Sequence, residues 1–498
     1  MNILVELPLL LLLGSLLAVD ARSKLQVQIP KALQRKDGYD HMEASFGFAP
    51  YGGTLQQKVY YAGGTLCDSN NIDPTAGYPS RPDKTPWEPP FILMVDVHAC
   101  GAASQVTNAQ NWGASAVLLA DTRCMCFREC VQNGQGCHIE EPDMTDIDIA
   151  SGVTVPAFYM YKEDADAIKE RVMKDEQVIV SMSFNVPAPD DRVEYDLWME
   201  PLPKHPVSML PSFGPAAVAL GEHARFTPHM LIYDGVRAGC ADTDRCQNMC
   251  TNNGRYCQND PDGNNTAGNS GAEVVEESLR RICIWRHYGM EDGIGREWWD
   301  YTKYFMRLCE NANGLFADPK CRSQAMKSAS VDEKTIAQCM QDSGGLEGDV
   351  ENTLLTASIV EQVRSGVATA PTFFVNNAPV RGHLDFTLAF RAICSGFPWG
   401  SEPEICDTCA ACNAAEECVA SGGRICSAGF SNVVLDYQTN RVSGWVFMAT
   451  LFMFVIFAGG LAAIYMRYHQ VRVRREVRGL MSEYVKLDTN DDSSQCLI

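Results

Sequence analysis

Cysteine is the residue that most constrains what this chain can become. Twenty-one occur in 498 residues, twenty of them before residue 427 and only Cys496 after it. So many thiols suit an oxidising compartment and make an ordinary cytosolic enzyme a poor reading. The even twenty can all pair, which leaves one free thiol beyond some barrier. Two apolar runs identify that barrier as a membrane. Residues Leu7 to Leu17 are leucine-rich and lead into Val19-Asp20-Ala21, whose small residues suit cleavage, so residues 1–21 read as a signal peptide even though Glu6 replaces the usual positive charge. Trp445 to Met466 runs 22 residues without a charge and is long enough to span a bilayer. Arg467, Arg472, Arg474, Arg475 and Arg478 follow it, whereas Asp436 and a lone Arg441 precede it, so residues 467–498 are expected in the cytosol. The expected topology is a single-pass type I membrane protein with a large lumenal part.

Charge and length narrow the lumenal part. The formal net charge is −21, and the 467–498 tail, with six basic and five acidic residues, contributes none of that deficit. An acidic lumenal chain repels a phosphate backbone, which excludes nucleic acid as a partner. At roughly 150 residues per domain the length fits about three domains.

Phe91–Val97, Ser115–Asp121, Val155–Tyr161 and Val178–Phe184 are apolar runs of strand length, and Ala102 to Trp112 is a crossover helix closed by Gly113. This alternation predicts a small α/β domain. It carries no Gly-rich phosphate loop, nucleophile elbow or metal-spaced histidine pair. Further on, Arg225–Asp234 reads as a strand, and Pro371-Thr372 precedes the apolar Phe373–Val375. A strand led by such a proline, frequently cis, suits a thioredoxin-like sheet. Between them Val275, Leu279, Ile282 and Cys283 share one helical face, and Trp298–Tyr301 is expected to pack on the same insert.

A thioredoxin-like domain raises the rival reading of a membrane-tethered thiol oxidoreductase. That chemistry needs Cys-x-x-Cys at the start of the first helix, where the helix N-terminus favours the thiolate. The position expected for it, after Met230–Tyr233, reads Asp234-Gly235-Val236-Arg237, and the tight pair Cys409 and Cys412 lies instead in a Cys-rich segment near the membrane. A protease lacks a catalytic constellation among nine scattered histidines, and the tail, with one Cys and one His, lacks the zinc module of a ubiquitin ligase. Cys124, Cys126, Cys130 and Cys137, with His138 adjacent, suit either two disulfides or a zinc site, and the oxidising lumen favours disulfides. Eight further cysteines from Cys240 to Cys339 are expected in bridges whose connectivity the sequence does not give. Asn264-Asn265-Thr266 is a glycosylation sequon in a Gly/Asn/Asp loop.

Two stretches carry a family resemblance. Tyr51–Thr54, Val95–Cys100, Asn108-Ala109, Gly113-Ala114 and Val117–Asp121 resemble a protease-associated domain, a substrate- or cargo-binding module. Pro187–Trp198, Phe226–Met230, Asn252–Pro261, Trp298–Tyr301, Ala370–Asn377 and Arg391–Phe397 resemble, in colinear order, the central region of plant-type vacuolar sorting receptors. The resemblance implies a multidomain α/β and α+β lumenal part. Its expected pieces are a protease-associated domain (44–186), a thioredoxin-like domain with a helical insert (187–395), a small disulfide-rich, epidermal-growth-factor-like module (396–432) and one transmembrane helix (445–466). It implies a Cys67–Cys100 bridge and a cargo groove around Tyr51, Gly52, Gly53, His98 and Asp121. The family's Arg-Gly-Asp-Cys stretch reads Val97-His98-Ala99-Cys100 here, and histidine supplies no permanent guanidinium fork but titrates near neutral pH.

The implied function is carriage of soluble vacuolar or lysosomal hydrolases from the Golgi, through trans-Golgi, prevacuolar or endosomal membranes, without catalysis. Tyr484-Val485-Lys486-Leu487 fits the Tyr-x-x-apolar signal that clathrin adaptors bind in extended form, with one pocket for Tyr484 and another for Leu487. No cofactor is expected. Calcium is the ligand such membrane-proximal repeats often hold, yet only Glu402 and Glu404 supply acidic groups before Cys406.

Overall fold

The computed structural model describes residues 23–426, apart from 68–75, 82, 84, 131–135, 141–143, 145–151, 204–206, 242–245, 247, 265–266 and 310–313, together with scattered residues between 460 and 472. The chain forms two compact units, Met1–Leu435 and Asp436–Ile498. In the second unit the described residues include a helical stretch at 465–469. The expected span 445–466 falls almost wholly outside the described residues, and no helix among those residues is long and apolar enough to cross a membrane.

The first unit opens with a seven-stranded mixed sheet. Its elements in chain order are β1 (Lys24–Ile29), β2 (His41–Glu43), β3 (Thr54–Tyr61), β4 (Ile92–Asp96), α1 (Ala102–Asn111), β5 (Ala116–Ala120), β6 (Ala157–Met160), α2 (Lys162–Met173) and β7 (Ile179–Ser183). The strand order is β1-β7-β3-β4-β5-β6-β2. Strands β3 to β6 are mutually parallel, and β7, β1 and β2 join antiparallel. Parallel strands need cover on both faces, which is why β4 and β5 read as unbroken apolar runs. Ile92, Met94 and Leu118 point into one core with Ile168 and Val172 of α2. Leu93, Val95, Val117 and Leu119 point into the other with Val106 and Ala109 of α1. Gly113, at φ +92°, releases the chain from α1 as expected. The sheet begins at Lys24 rather than near residue 44, because Leu25 and Val27 alternate inward and extend the sheet along β7.

A second sheet follows. Its elements are β8 (Val193–Met199), α3 (Gly214–Leu220), β9 (Ala224–Met230), β10 (Tyr233–Asp234), α4 (Gly235–Ala238), β11 (Cys250–Thr251), β12 (Tyr256–Cys257), five insert helices α5 (Gly271–Tyr288), α6 (Arg296–Leu308), α7 (Pro319–Ser328), α8 (Glu333–Asp342) and α9 (Thr353–Ser365), then β13 (Thr372–Val375), β14 (Ala378–Val380) and α10 (Phe386–Ser395). The order β14-β13-β8-β9, with β8 and β9 parallel and β13 antiparallel, frames the domain, and Ala370–Pro371 is cis. The insert is anchored where Phe226 of β9 stacks on Trp299 of α6 at 4.5 Å between centroids. Val275, Leu279 and Cys283 of α5 are buried as the helical spacing predicts, while Ile282 is only partly so. A buried carboxylate, Glu277, holds Arg280 (2.6 Å), Arg281 (3.0 Å) and the Tyr301 hydroxyl (3.0 Å), tying α5 to α6.

The structure corrects the position expected for redox chemistry. The domain's first helix is α3, entered from β8, so the relevant segment is 200–213 rather than the turn at Asp234. That segment also holds no cysteine. The strand β8 escaped notice because Glu194 and Asp196 interrupt its apolar residues on the half-buried face.

The Cys-rich module at 396–426 also differs from expectation. Its described residues form two short helices, α11 (Glu404–Cys409) and α12 (Ala415–Ala420), and no strand. Cys394–Cys406 ties it to α10, and Cys409–Cys418 and Cys412–Cys426 pin the helices together. These bridges replace the epidermal-growth-factor-like expectation with a cystine-linked helical pair. Buried Arg391 of α10 fastens the module, donating from Nε to Ala410 O (2.6 Å) and from Nη2 to Cys412 O (2.9 Å). Arg391→Met removes donors from two carbonyls and is expected to cost about 1–3 kcal/mol. Differential scanning calorimetry paired with limited proteolysis of residues 396–426 checks this, and an unchanged cleavage rate would contradict it.

Candidate functional site

Open α/β sheets bind ligands outside the carboxyl ends of their parallel strands. At that edge Val97 N–H donates to Ala120 O (2.9 Å), placing the turn after β4 beside the turn after β5. His98 is exposed there, with Nδ1 3.4 Å from Cys67 Sγ. Its backbone is held from below by buried Gln105 of α1, whose Oε1 accepts from His98 N–H (3.2 Å) while Nε2 donates to Asp96 O (2.6 Å) and to Thr65 O. Cys67 and Cys100 form the bridge the resemblance implied. His98 and the two sulfurs lie close together, but bridged cysteines offer no thiolate to a metal.

Asp121 is fully buried at the end of β5. It accepts from Arg123 N–H (2.9 Å) and from the Tyr159 hydroxyl. Burial, and then the neighbouring Asp121 carboxylate, push the Tyr159 phenol's pKa upward. Asp121 therefore fixes the loop that leaves β5 and presents nothing to solvent. Asp96, one strand over, accepts from Tyr61 (2.6 Å) and pairs with the buried ammonium of Lys169 (2.5 Å).

The loop after Asp121 carries the four clustered cysteines, bridged as Cys124–Cys130 and Cys126–Cys137. Two disulfides thus replace the zinc alternative. Cys126 N–H donates to His138 O and His138 N–H to Cys124 O, each at 2.8 Å.

Tyr51, Gly52 and Gly53 lie elsewhere. They precede β3, whose eight residues run parallel to β4, so about 26 Å of strand separates them from the His98 edge. The five expected groove residues therefore do not form one groove. Tyr51 is buried against the second domain: its hydroxyl accepts from Arg381 N–H (2.7 Å) and donates to Arg381 O (3.4 Å). His383 N–H reaches Gly47 O (2.8 Å) in the same seam, and Arg391 sits over the Phe48 ring. Gly382, at φ +106°, permits this approach, since a Cβ there would lie 2.9 Å from Gly47 O. Composition gave no signal for this role; Tyr51 stood out only through the resemblance. Beside the seam, Ser23 Oγ donates to Glu43 and meets His41 Nε2 at 3.0 Å. Burial raises the Glu43 carboxyl's pKa and lowers that of His41.

Asn264 is exposed in a turn where Asp262 accepts from its N–H (2.9 Å). Tyr484 and Leu487 lie outside the described residues. Cys409 and Cys412 are buried and bonded to different partners, so they form no dithiol couple.

A cystine-rich chain that joins an α/β domain to a second, cis-proline-bearing sheet with helical inserts has clear relatives. Residues 193–394 match the family described as vacuolar sorting receptor thioredoxin-like domain. Vacuolar-sorting receptor 1 of Pisum sativum is 31% identical over 408 residues, covering 77% of this chain and 61% of that one. Vacuolar-sorting receptor 3 of Arabidopsis thaliana is 30% identical over 436 residues, covering 81% and 65%. The fold class is thus a mixed α/β multidomain protein with a disulfide-rich region. Its 193–394 domain is of the vacuolar sorting receptor thioredoxin-like type, and most of the chain is similar to plant vacuolar-sorting receptors. The chain spans less than two thirds of the length of either relative. A solved aminopeptidase from Aneurinibacillus sp. strain AM-1 shares a local likeness at 14% identity, covering 32% of this chain and 30% of that one, with a TM-score of 0.21, too low to bear on function.

Two substitutions separate scaffold from surface. Asp121→Ala orphans the buried Tyr159 hydroxyl and the Arg123 N–H and is expected to cost about 1–3 kcal/mol in thermal or urea unfolding. Glu43 has a raised folded-state pKa, so its contribution is present at low pH and is lost as pH rises through that pKa. Glu43→Gln is accordingly expected to raise the melting temperature at neutral pH more than in acid; an equal gain at both pH values would contradict this.

Proposed function

We propose that this protein is a type I membrane cargo receptor. Its lumenal part binds sorting determinants of soluble vacuolar or lysosomal hydrolases, and its tail recruits clathrin adaptors through Tyr484 and Leu487. The carrying observation is the match of residues 193–394 to the sorting-receptor thioredoxin-like domain, set within about 30% identity over most of the chain. The seven-stranded domain takes the place of the protease-associated module, and cargo is assigned to its His98 edge. That edge is exposed, stapled by Cys67–Cys100 and carries flanking loops, whereas Tyr51 and Asp121 are occupied by internal bonds. The protein works between Golgi and prevacuolar or endosomal membranes, is glycosylated at Asn264, needs no cofactor and catalyses no reaction.

The thiol-oxidoreductase alternative finds no support in the bridges at Cys409 and Cys412.

The test is capture of soluble hydrolases from a secretory lysate by the detergent-solubilised full chain at neutral pH, followed by mildly acidic elution. A few hydrolases released by acid is the expected result, and recovery of none overturns the reading. His98→Gln is expected to retain capture and to blunt acid release; unchanged release removes His98 from the mechanism. Tyr484→Ala is expected to reduce adaptor co-precipitation about tenfold (~1.4 kcal/mol), with lumenal capture intact.

A further inference from the structure

Among the described residues, Cys67–Cys100 is the bridge with an imidazole against one of its sulfurs: His98 Nδ1 lies 3.4 Å from Cys67 Sγ. The turn that carries this imidazole is held on both sides. Buried Gln105 accepts from His98 N–H (3.2 Å), and His98 O accepts from Gly101 N–H (3.3 Å). Cys67 and Cys100 are each partly exposed and His98 is exposed, so a small solute reaches both the bridge and the ring. The charged groups at the neighbouring strand ends are engaged elsewhere. Asp96 holds the Tyr61 hydroxyl (2.6 Å) and the Lys169 ammonium (2.5 Å), and Asp121 holds the Tyr159 hydroxyl and Arg123. Neither carboxylate hydrogen-bonds the imidazole, whose Nδ1 is left to the sulfur.

A disulfide opens when a thiolate attacks one sulfur and the other departs, and the exchange is faster when the departing thiolate is stabilised. An imidazolium N–H against one sulfur therefore makes that sulfur the better leaving group. Accessible bridges are also the ones on which such exchange takes place. No other bridge combines access with an imidazole among the described residues. Cys126–Cys137, whose residues are both exposed, has the access alone.

We propose that Cys67–Cys100 is a thiol-exchange site, opened by a low-molecular-weight thiol with His98 as the acid that serves the leaving sulfur. The thiolate attacks Cys100 Sγ, and a new S–S bond forms there as the Cys67–Cys100 bond breaks. The electron pair leaves on Cys67 Sγ, which takes the proton from His98 Nδ1. The small thiol is oxidised to a mixed disulfide and Cys67 is reduced, so no further oxidant is consumed. Imidazoles gain and lose a proton near neutral pH. The assistance is thus present in mild acid and lost in mild alkali, opposite to the supply of attacking thiolate. This site stands apart from the cargo-receptor reading and needs only the bridge and the imidazole.

The test incubates the detergent-solubilised full chain, with Cys496 first alkylated, with reduced glutathione. The reaction is quenched in acid, alkylated and mapped by peptide mass spectrometry, and each rate is divided by the thiolate fraction of glutathione at that pH. Glutathione on Cys100 with alkylated Cys67 is expected in mild acid at least about tenfold faster than any adduct at Cys126–Cys137. His98→Gln is expected to slow this opening about tenfold in mild acid, to change it little in mild alkali, and to spread the adduct over both sulfurs. His98 is exposed, and unchanged thermal unfolding of the variant verifies its fold. Opening no faster than at Cys126–Cys137 overturns the proposal. So does a His98→Gln variant whose rate and adduct position are unaltered, or whose rate changes equally at both pH values, as it would if the histidine only shaped the turn.

Discussion

The structure depends on the need of the central parallel strands to be dry on both faces. β4 to β6 cannot leave either face in water, because their side chains are almost all apolar and buried on both. The chain covers one face with α1, within its own domain. The other face is covered by α2, in a core that runs on without interruption into the second sheet and its insert helices. The two sheets thus share one apolar interior, and the first unit is a single body from the N-terminal strand to the Cys-rich helices. The seam at Tyr51 and Arg381 is where that continuity is locked by hydrogen bonds.

Polar interactions act inside this frame by direction rather than by number. Glu277 is buried beside two guanidinium groups and a phenol, so its charge is compensated and its helices are placed. Asp121 performs the corresponding task at the end of β5. Neither carboxylate faces water, and neither is available for a ligand. The groups left facing water at the same edge are of another kind: the His98 imidazole beside the Cys67–Cys100 bridge, and the Phe127 ring in the turn that follows β5. Rigid scaffold below and adaptable chemistry above is the usual division of labour at a binding edge.

Ten disulfides join all twenty cysteines that precede residue 427. Most close short loops, so they act locally, bracing turns that have little core of their own. The exceptions are Cys67–Cys100, which spans 33 residues, and Cys283–Cys339, which spans 56 and links α5 to α8 across the insert. Bridges of this sort pin the two short Cys-rich helices to one another and to α10, while Ala415 and Val419 seat them on the main core.

Much of this was legible in the sequence for a simple reason: periodicity and residue type are local. The unbroken runs at Ile92–Asp96 and Ala116–Ala120, the helical face of Val275, Leu279 and Cys283, the cis-proline position and the even cysteine count all announced themselves without neighbours. Strands β1 and β8 were missed because half their residues are polar, and only pairing to β7 and β13 reveals them. Which cysteine meets which was likewise closed to sequence, since pairing is set by where the chain returns. The candidate site shows the limit most clearly. Motif resemblance grouped Tyr51 with His98 and Asp121, yet strand direction sends Tyr51 to the far end of the sheet and burial turns Asp121 inward. Residue identity fixed what chemistry was present; only the tertiary structure decided which of those groups would face one another and which would face water.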